Sequence, residues 1–164
     1  MSTNPYIITP NEVGSAQSSE LIQYIRKYID TLQQQLQVSG AILFRGFDVP
    51  QPTVFESIAK TFDGDLKNDY LGTSPRNIVK GTDYVFSASE LPPHYPIMQH
   101  CEMSFLPTAP RRLMFYCYIQ PEIGGETPIC DFRAVAKSMN PKIKQEFEKK
   151  GIKVEKNPNA KITM

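Results

Sequence analysis

A histidine and a glutamate separated by one residue, His100 and Glu102, are the clearest candidates for chemistry in this chain. In an extended segment, side chains two positions apart point to the same side, so an imidazole nitrogen and a carboxylate oxygen could face one ion. These donors belong to the facial triad of two histidines and one carboxylate, which leaves positions open on octahedral iron. The spacing therefore predicts two metal ligands. A structural histidine beside an unrelated glutamate is the alternative that spacing alone leaves open.

A third ligand is harder to find, because the chain has only two histidines. The other one, His94, lies six residues before His100 in a proline-rich stretch. It could serve as a substitute ligand, but its position favours a structural or substrate-facing role. Farther along the chain, the turn residues Gly125 and Glu126 precede Thr127 and could present the threonine hydroxyl to the same cavity.

The N-terminal part of the chain contains a possible strand and a clear helix pattern. Residues 6–8 could form a short strand. Apolar side chains then recur at three- and four-residue steps over residues 18–38, which predicts a helix facing the core. Ser18 or Ser19 can cap its start, and Gly40 can end it.

A strand and a second helix are predicted next. Residues 41–47 are mostly apolar and predict a buried strand. Thr53 and Glu56 have the spacing of a capping box at the start of a short helix that continues to Phe62. The stretch that follows is irregular, and such a long loop is often functional. Within it, residues 83–87 could form a strand.

The C-terminal part has the strongest strand pattern of the chain. Residues 112–119 are rich in aromatic side chains and apolar on both faces, which predicts a central strand. Residues 127–131 can begin another strand. Asn140 and Pro141 then predict the start of a helix, with asparagine as its cap, and Gly151 predicts its end.

Other side chains that could do chemistry have structural interpretations. The three cysteines are expected to be small buried apolar residues: Cys101, Cys117 and Cys130. Arg111 and Arg112 could face an anionic substrate or lie in solvent at the entry of a strand. Gln99 could line the pocket or satisfy a loop amide. Asp131 is expected to be a structural hydrogen-bonding group. Three aromatic residues could wall the substrate cavity, but core packing is favoured for most of them: Tyr84, Phe86 and Phe105.

Composition excludes several classes of protein. The chain has 164 residues, 40% of them hydrophobic and 21% charged, with a formal net charge of +1, which is ordinary for one soluble globular domain. A nearly neutral chain offers no electrostatic attraction for nucleic acid or an anionic membrane. No apolar run approaches the length of about 20 residues that spans a bilayer. The N-terminus lacks a secretory pattern, so we expect a cytoplasmic protein with reduced thiols.

Several blocks together resemble the taurine dioxygenase/TfdA-like family of oxygenases. The longest runs from Pro93 through His100 and Glu102 to Phe105. It is followed by the block at 110–117 and by the Gly-Gly-Glu-Thr block at 124–135. The sequence Gly-Ala-Ile-Leu-Phe-Arg-Gly-Phe at 40–47 and the block at 73–76 also match. The resemblance covers about residues 38–137 and is strongest to the branch with syringomycin-type and clavaminate synthase-like oxygenases.

This resemblance implies an α+β, mainly β fold: part of a double-stranded β-helix, or jelly-roll, with flanking helices. It implies Fe(II) bound by His100 and Glu102, and 2-oxoglutarate as cosubstrate with one carboxylate bonded to Thr127. Decarboxylation of 2-oxoglutarate to succinate would drive oxidation of an unactivated C–H bond. The implied activity is a hydroxylase-type dioxygenase. Its substrate would be a small or carrier-bound amino-acid-like metabolite.

The chain departs from the family pattern in its last third. The family has a second histidine ligand and a 2-oxoglutarate-binding arginine far downstream, whereas no histidine follows His100 and Arg133 is the last arginine. Residues 1–164 are therefore expected to be one domain, the N-terminal portion of a jelly-roll that is incomplete at its C-terminus. Truncation is favoured over a short paralogue that has lost catalysis, or a site completed by a second polypeptide or a dimer mate.

Two further hypotheses compete with an active oxygenase. One is a catalytically inactive remnant or an oligomeric binding module of the same fold. A half jelly-roll would leave sheet edges and apolar surface open, which favours a homo-oligomer. The other is a zinc or other metal-binding protein with different chemistry.

Overall fold

The structure is a computed structural model that describes residues 5–72, 76–88 and 97–155. Three features singled out in the sequence lie outside these ranges. They are the possible substitute ligand His94, most of the proline-rich block that precedes His100, and residues 73–75 of the block ending at Arg76.

Two short parallel strands begin the fold. Strand β1, Tyr6–Ile8, pairs with β2, Ile42–Phe44, in the register Tyr6 to Ile42. The first predicted strand is confirmed, and the second is shorter than the predicted 41–47. Helix α1, Pro10–Val13, follows β1 directly, and Thr9 and Glu12 form a reciprocal capping box at its start.

The long helix α2, Ser18–Ser39, connects the two strands and carries most of the core. Its predicted C-terminal residue is confirmed, because Gly40 adopts a left-handed φ of 78° and its N–H reaches the Leu36 carbonyl. The predicted serine caps are wrong, since Gln17 occupies the cap position and makes no side-chain hydrogen bond there. The apolar face predicted from periodicity is buried at Leu21, Ile25 and Leu32.

Helix α3, Pro52–Phe62, packs against α2 and closes the core. Its Ile58 and Phe62 join the α2 side chains and Ile8 in one cluster. The predicted capping box at Thr53 is wrong, because the helix begins at Pro52 with Gln51 as its cap. Glu56 lies instead within the helix, is 5% exposed and pairs with Lys60 at 2.5 Å.

Residues 112–119 do not form the predicted central strand. Alternate side chains nevertheless face the N-terminal layer, as in extended backbone: Met114 packs on the core, and the Tyr116 ring stacks on Phe55 with centroids 5.1 Å apart. The opposite face is open, and Phe115 is 63% exposed. A strand needs a neighbour that takes its backbone hydrogen bonds, and the described residues offer this segment none.

The remaining described residues are irregular or helical. Helix α4, Phe132–Ser138, was not anticipated, and residues 127–131 before it are not a strand. Helix α5, Pro141–Lys150, confirms the prediction that Asn140 caps its start and Gly151 ends it. With five helices and two three-residue strands, the described part of the chain does not confirm a mainly β architecture.

The expected self-association stays a prediction, although several large apolar side chains are exposed after residue 112, including Ile119 and Ile123. Among the described residues, no helix combines the length and the apolar character that a membrane span requires. The cytoplasmic location stays a prediction as well.

An ion pair connects Arg112 to Asp63, the residue that follows α3. Arg112 Nη1 lies 2.6 Å from Asp63 Oδ2, so Arg112 has a structural partner. Burial raises the pKa of Asp63, but hydrogen bonds from the Asp65 backbone N–H and from Arg112 outweigh it and hold the pKa below its ordinary value. A carboxyl whose pKa is lowered by folding stabilises the protein above its unfolded-state pKa. That contribution disappears as the pH falls through the folded-state pKa.

We therefore expect Asp63→Asn to lower the free energy of unfolding by about 1 kcal/mol near pH 7. The difference between the variant and the wild type should shrink as the pH is lowered from about 7 to about 3. Urea unfolding followed by circular dichroism across that range measures it. A deficit that does not change with pH would show that the carboxylate charge contributes nothing.

Candidate metal centre

The His100 ring is oriented by its own backbone neighbourhood. Its Nδ1 lies 2.7 Å from the Met98 carbonyl oxygen. Because a carbonyl oxygen only accepts hydrogen bonds, Nδ1 carries the proton, and Nε2 of the neutral ring is left with a free electron pair. This arrangement, with the other ring nitrogen donating to a carbonyl, is typical of metal-binding histidines. The side chain is 54% exposed, so Nε2 is accessible.

Glu102 meets His100 at the start of a turn. The turn covers residues 102–105, with the Ser104 N–H bonded to the Cys101 carbonyl and Met103 at a left-handed φ of 49°. Glu102 Oε2 lies 3.8 Å from His100 Nε2. The structure thus brings the two predicted side chains together, although neither residue belongs to a strand.

The donor set fits a divalent cation with a small adjustment. Two bonds of about 2.1 Å at a right angle place donor atoms about 3.0 Å apart, so the observed 3.8 Å must close by about 0.8 Å. An exposed imidazole can make that movement at little cost. A nitrogen and a carboxylate oxygen suit Fe(II). Within residues 5–72, 76–88 and 97–155, no group of three or more histidine, cysteine, aspartate or glutamate side chains is placed to hold a metal.

Arg76 and Tyr70 surround the Glu102 carboxylate. Arg76 Nη2 is 3.3 Å from Oε2, and the Tyr70 hydroxyl is 3.5 Å from Oε1, at the outer limit of a hydrogen bond. Sequence reasoning noted Arg76 only as part of a family block and did not single out Tyr70. Because these residues lie 26 and 32 positions from Glu102, no spacing rule for local structure could have found them.

A hairpin-like loop lies next to the residues that surround Glu102. Ile78 and Phe86 form an isolated antiparallel bridge, which replaces the predicted strand at 83–87. The buried Glu56 of α3 accepts a hydrogen bond of 3.1 Å from the Asp83 N–H and so holds the loop to the core. The Phe86 ring packs on Tyr70, with centroids 6.0 Å apart. Helix α3 therefore positions the loop beside the candidate metal ligands.

The proposed role of Thr127 in binding 2-oxoglutarate stays a prediction. Thr127 lies in an exposed irregular segment, and its hydroxyl has no hydrogen-bond partner among the described residues. Asp131 has the structural role expected of it: its carboxylate caps α4 by accepting from the Arg133 N–H at 2.9 Å. The Arg133 side chain is the main reason that the pKa of Asp131 lies below its ordinary value.

The predictions for the cysteines are wrong. Cys101, Cys117 and Cys130 are all exposed free thiols. Cys101 stands at the edge of the turn that carries Glu102, while the other two lie in segments that lack the strand pairing from which their burial was predicted. None of the three is part of the core.

Comparison with known proteins identifies the family. The sequence profile described as "Taurine catabolism dioxygenase TauD, TfdA family" matches residues 8–163. The chain belongs to the TauD/TfdA family. TauD/TfdA enzymes generally use Fe(II) and 2-oxoglutarate, and the family implies a jelly-roll fold.

Two curated relatives extend the TauD/TfdA assignment. A clavaminate synthase-like protein of Arabidopsis thaliana is 37% identical over 137 residues, which cover 82% of this chain and 40% of the relative. The dapdiamide synthesis protein DdaC of Enterobacter agglomerans is 29% identical over 127 residues, or 77% of this chain and 38% of the relative. The matched part of the chain thus spans about two-fifths of these relatives.

Proposed function

We propose that this chain contributes His100 and Glu102 as two protein ligands of Fe(II) in a 2-oxoglutarate-dependent oxygenase of the hydroxylase type. One observation carries the proposal: His100 donates from Nδ1 to the Met98 carbonyl and turns the free Nε2 toward Glu102 Oε2. The TauD/TfdA membership supports the same chemistry.

The residues of the site have separate tasks in this proposal. When bound, Fe(II) and 2-oxoglutarate supply the oxidising power that C–H hydroxylation needs. The Met98 carbonyl keeps the His100 ring in the tautomer that leaves Nε2 free to bind a metal. Glu102 adds a negative charge that partly neutralises the cation. Thr127, whose hydroxyl is free of partners among the described residues, would donate to a carboxylate of the cosubstrate.

The proposed substrate is a small or carrier-bound amino-acid-like metabolite. The name of the Enterobacter agglomerans relative places that protein in dapdiamide synthesis, and the Arabidopsis thaliana relative is named for its likeness to clavaminate synthase. Both names refer to the synthesis of small molecules, which supports a small-molecule substrate for this chain.

A metal-free binding module is the second candidate function. It is favoured by one observation: Arg76 already pairs with the Glu102 oxygen that a metal would use. In the absence of metal, this ion pair satisfies the carboxylate and gives the turn a structural role.

Anaerobic titration separates the two candidates. We expect the chain with both Fe(II) and 2-oxoglutarate to develop the weak visible charge-transfer band of the ternary complex, and to form succinate once oxygen is admitted. Omitting either component is the control. If neither band nor succinate forms, the oxygenase proposal fails and the metal-free module is favoured. Elemental analysis of the purified chain tests for zinc in place of iron.

A further inference from the structure

One oxygen of Glu102 lies near two nitrogen atoms. Oε2 faces His100 Nε2 at 3.8 Å and Arg76 Nη2 at 3.3 Å. The Glu102 and Arg76 side chains are only 15% and 21% exposed, so water screens their interaction weakly. A divalent cation between His100 and Glu102 would therefore draw on the same carboxylate charge that now neutralises Arg76, and would repel the guanidinium.

Arg76 has no other anionic partner in the described part of the chain. Its Nε atom is buried and finds no hydrogen-bond acceptor there, and its guanidinium carbon lies 5.0 Å from the centroid of the Tyr70 ring. A guanidinium remains charged at all physiological pH values. If the charge of Glu102 is committed to a metal, this partly buried cation needs a new anion.

We propose that Arg76 is a carboxylate-binding residue that becomes available when a divalent metal occupies His100 and Glu102, and that it receives the carboxylate of the substrate. This inference rests on the proposed function. The Nε and Nη edge of a guanidinium matches the two oxygens of a carboxylate, and the unpartnered Nε supplies the donor that such a fork requires. In the metal-free chain, Glu102 takes the place of the substrate carboxylate.

Reciprocal coupling follows from this arrangement. A metal that removes Glu102 from Arg76 strengthens carboxylate binding, and the carboxylate must strengthen metal binding by the same factor. A coupling of about tenfold lies within the usual range for two linked sites.

The test measures binding on the full chain, with Mn²⁺ as a redox-stable substitute for Fe(II) and its free concentration read by electron paramagnetic resonance. The probes are N-acetyl-L-alanine, its neutral amide and 2-oxoglutarate. We expect N-acetyl-L-alanine to tighten Mn²⁺ binding about tenfold, and the amide to have no effect. Arg76→Gln should still bind Mn²⁺ but lose the coupling. Arg76→Lys, which keeps the charge and loses the fork, should retain part of it.

Arg111→Gln is the matched control, because it removes the same charge from an exposed arginine and should keep the coupling. Direct ligation of Mn²⁺ by the probe carboxylate would persist in Arg76→Gln, so loss of the coupling in that variant distinguishes Arg76 from direct ligation. Coupling that survives Arg76→Gln overturns the inference. Coupling seen only with 2-oxoglutarate overturns the assignment to the substrate. If the wild type does not bind Mn²⁺ through Glu102, the proposed function itself fails. Circular dichroism establishes that each variant is folded.

Discussion

His100→Ala is expected to weaken Fe(II) binding by about 100-fold or more, because loss of a mere outer-sphere partner already costs about 10- to 100-fold. His100 supplies the imidazole nitrogen that faces Glu102, and its Nδ1 bond to Met98 sets the tautomer in which Nε2 can bind a metal. Glu102→Gln should have a comparable effect, since it keeps the shape of the side chain and removes its charge.

Anaerobic equilibrium dialysis of Fe(II) measures these affinities, and the loss of the visible band with 2-oxoglutarate gives a second measurement. The matched control is His94→Ala, which removes the other histidine of the chain. It should leave Fe(II) affinity within a few-fold of the wild type. Equal losses in the two histidine variants would make His94 a ligand as well, and unchanged binding in His100→Ala would refute the assignment.

Ile25→Ala is expected to lower the free energy of unfolding by about 2–5 kcal/mol, the range for truncation of a large aliphatic side chain in a core. Ile25 is 0% exposed and lies in the cluster that joins α2 to Ile58 and Phe62 of α3. This loss would be a large fraction of the total stability of a domain, which is about 5–15 kcal/mol.

Chemical denaturation followed by far-ultraviolet circular dichroism tests this prediction. Ile143→Ala is the control, as it makes the same change at a helical isoleucine that is 52% exposed. Its effect should stay within about 1 kcal/mol. Similar losses in both variants would contradict the assignment of the core to the α2 and α3 layer.

The sequence predicted best those elements whose signals are local. The apolar repeat of α2 and the glycine that ends it lie within one helix, as do Asn140 and Pro141 at the start of α5. Such signals act between residues a few positions apart, so each can be interpreted without knowing the rest of the fold. The spacing of His100 and Glu102, with the family blocks around it, likewise identified the candidate ligands.

Predictions that needed a distant partner succeeded less often. Strand formation at 112–119 depends on a neighbouring strand, and without one in the described residues the segment only lies against α3. Thr53 and Glu56 have the spacing of a capping box, but α3 begins at Pro52, so the two residues do not occupy the capping positions. Glu56 instead binds the loop at Asp83, which lies 27 residues away.

By itself, the sequence determined helices α2, α3 and α5, the donor types at positions 100 and 102, and the family. The tertiary structure alone decided that Arg76 and Tyr70 surround Glu102, that the convergence with His100 occurs at a turn, and that the three cysteines are exposed. The physical reason is the sequence separation over which each interaction acts. Helix periodicity and capping arise between near neighbours, whereas the surroundings of a charged side chain depend on which distant segments the packed core brings beside it.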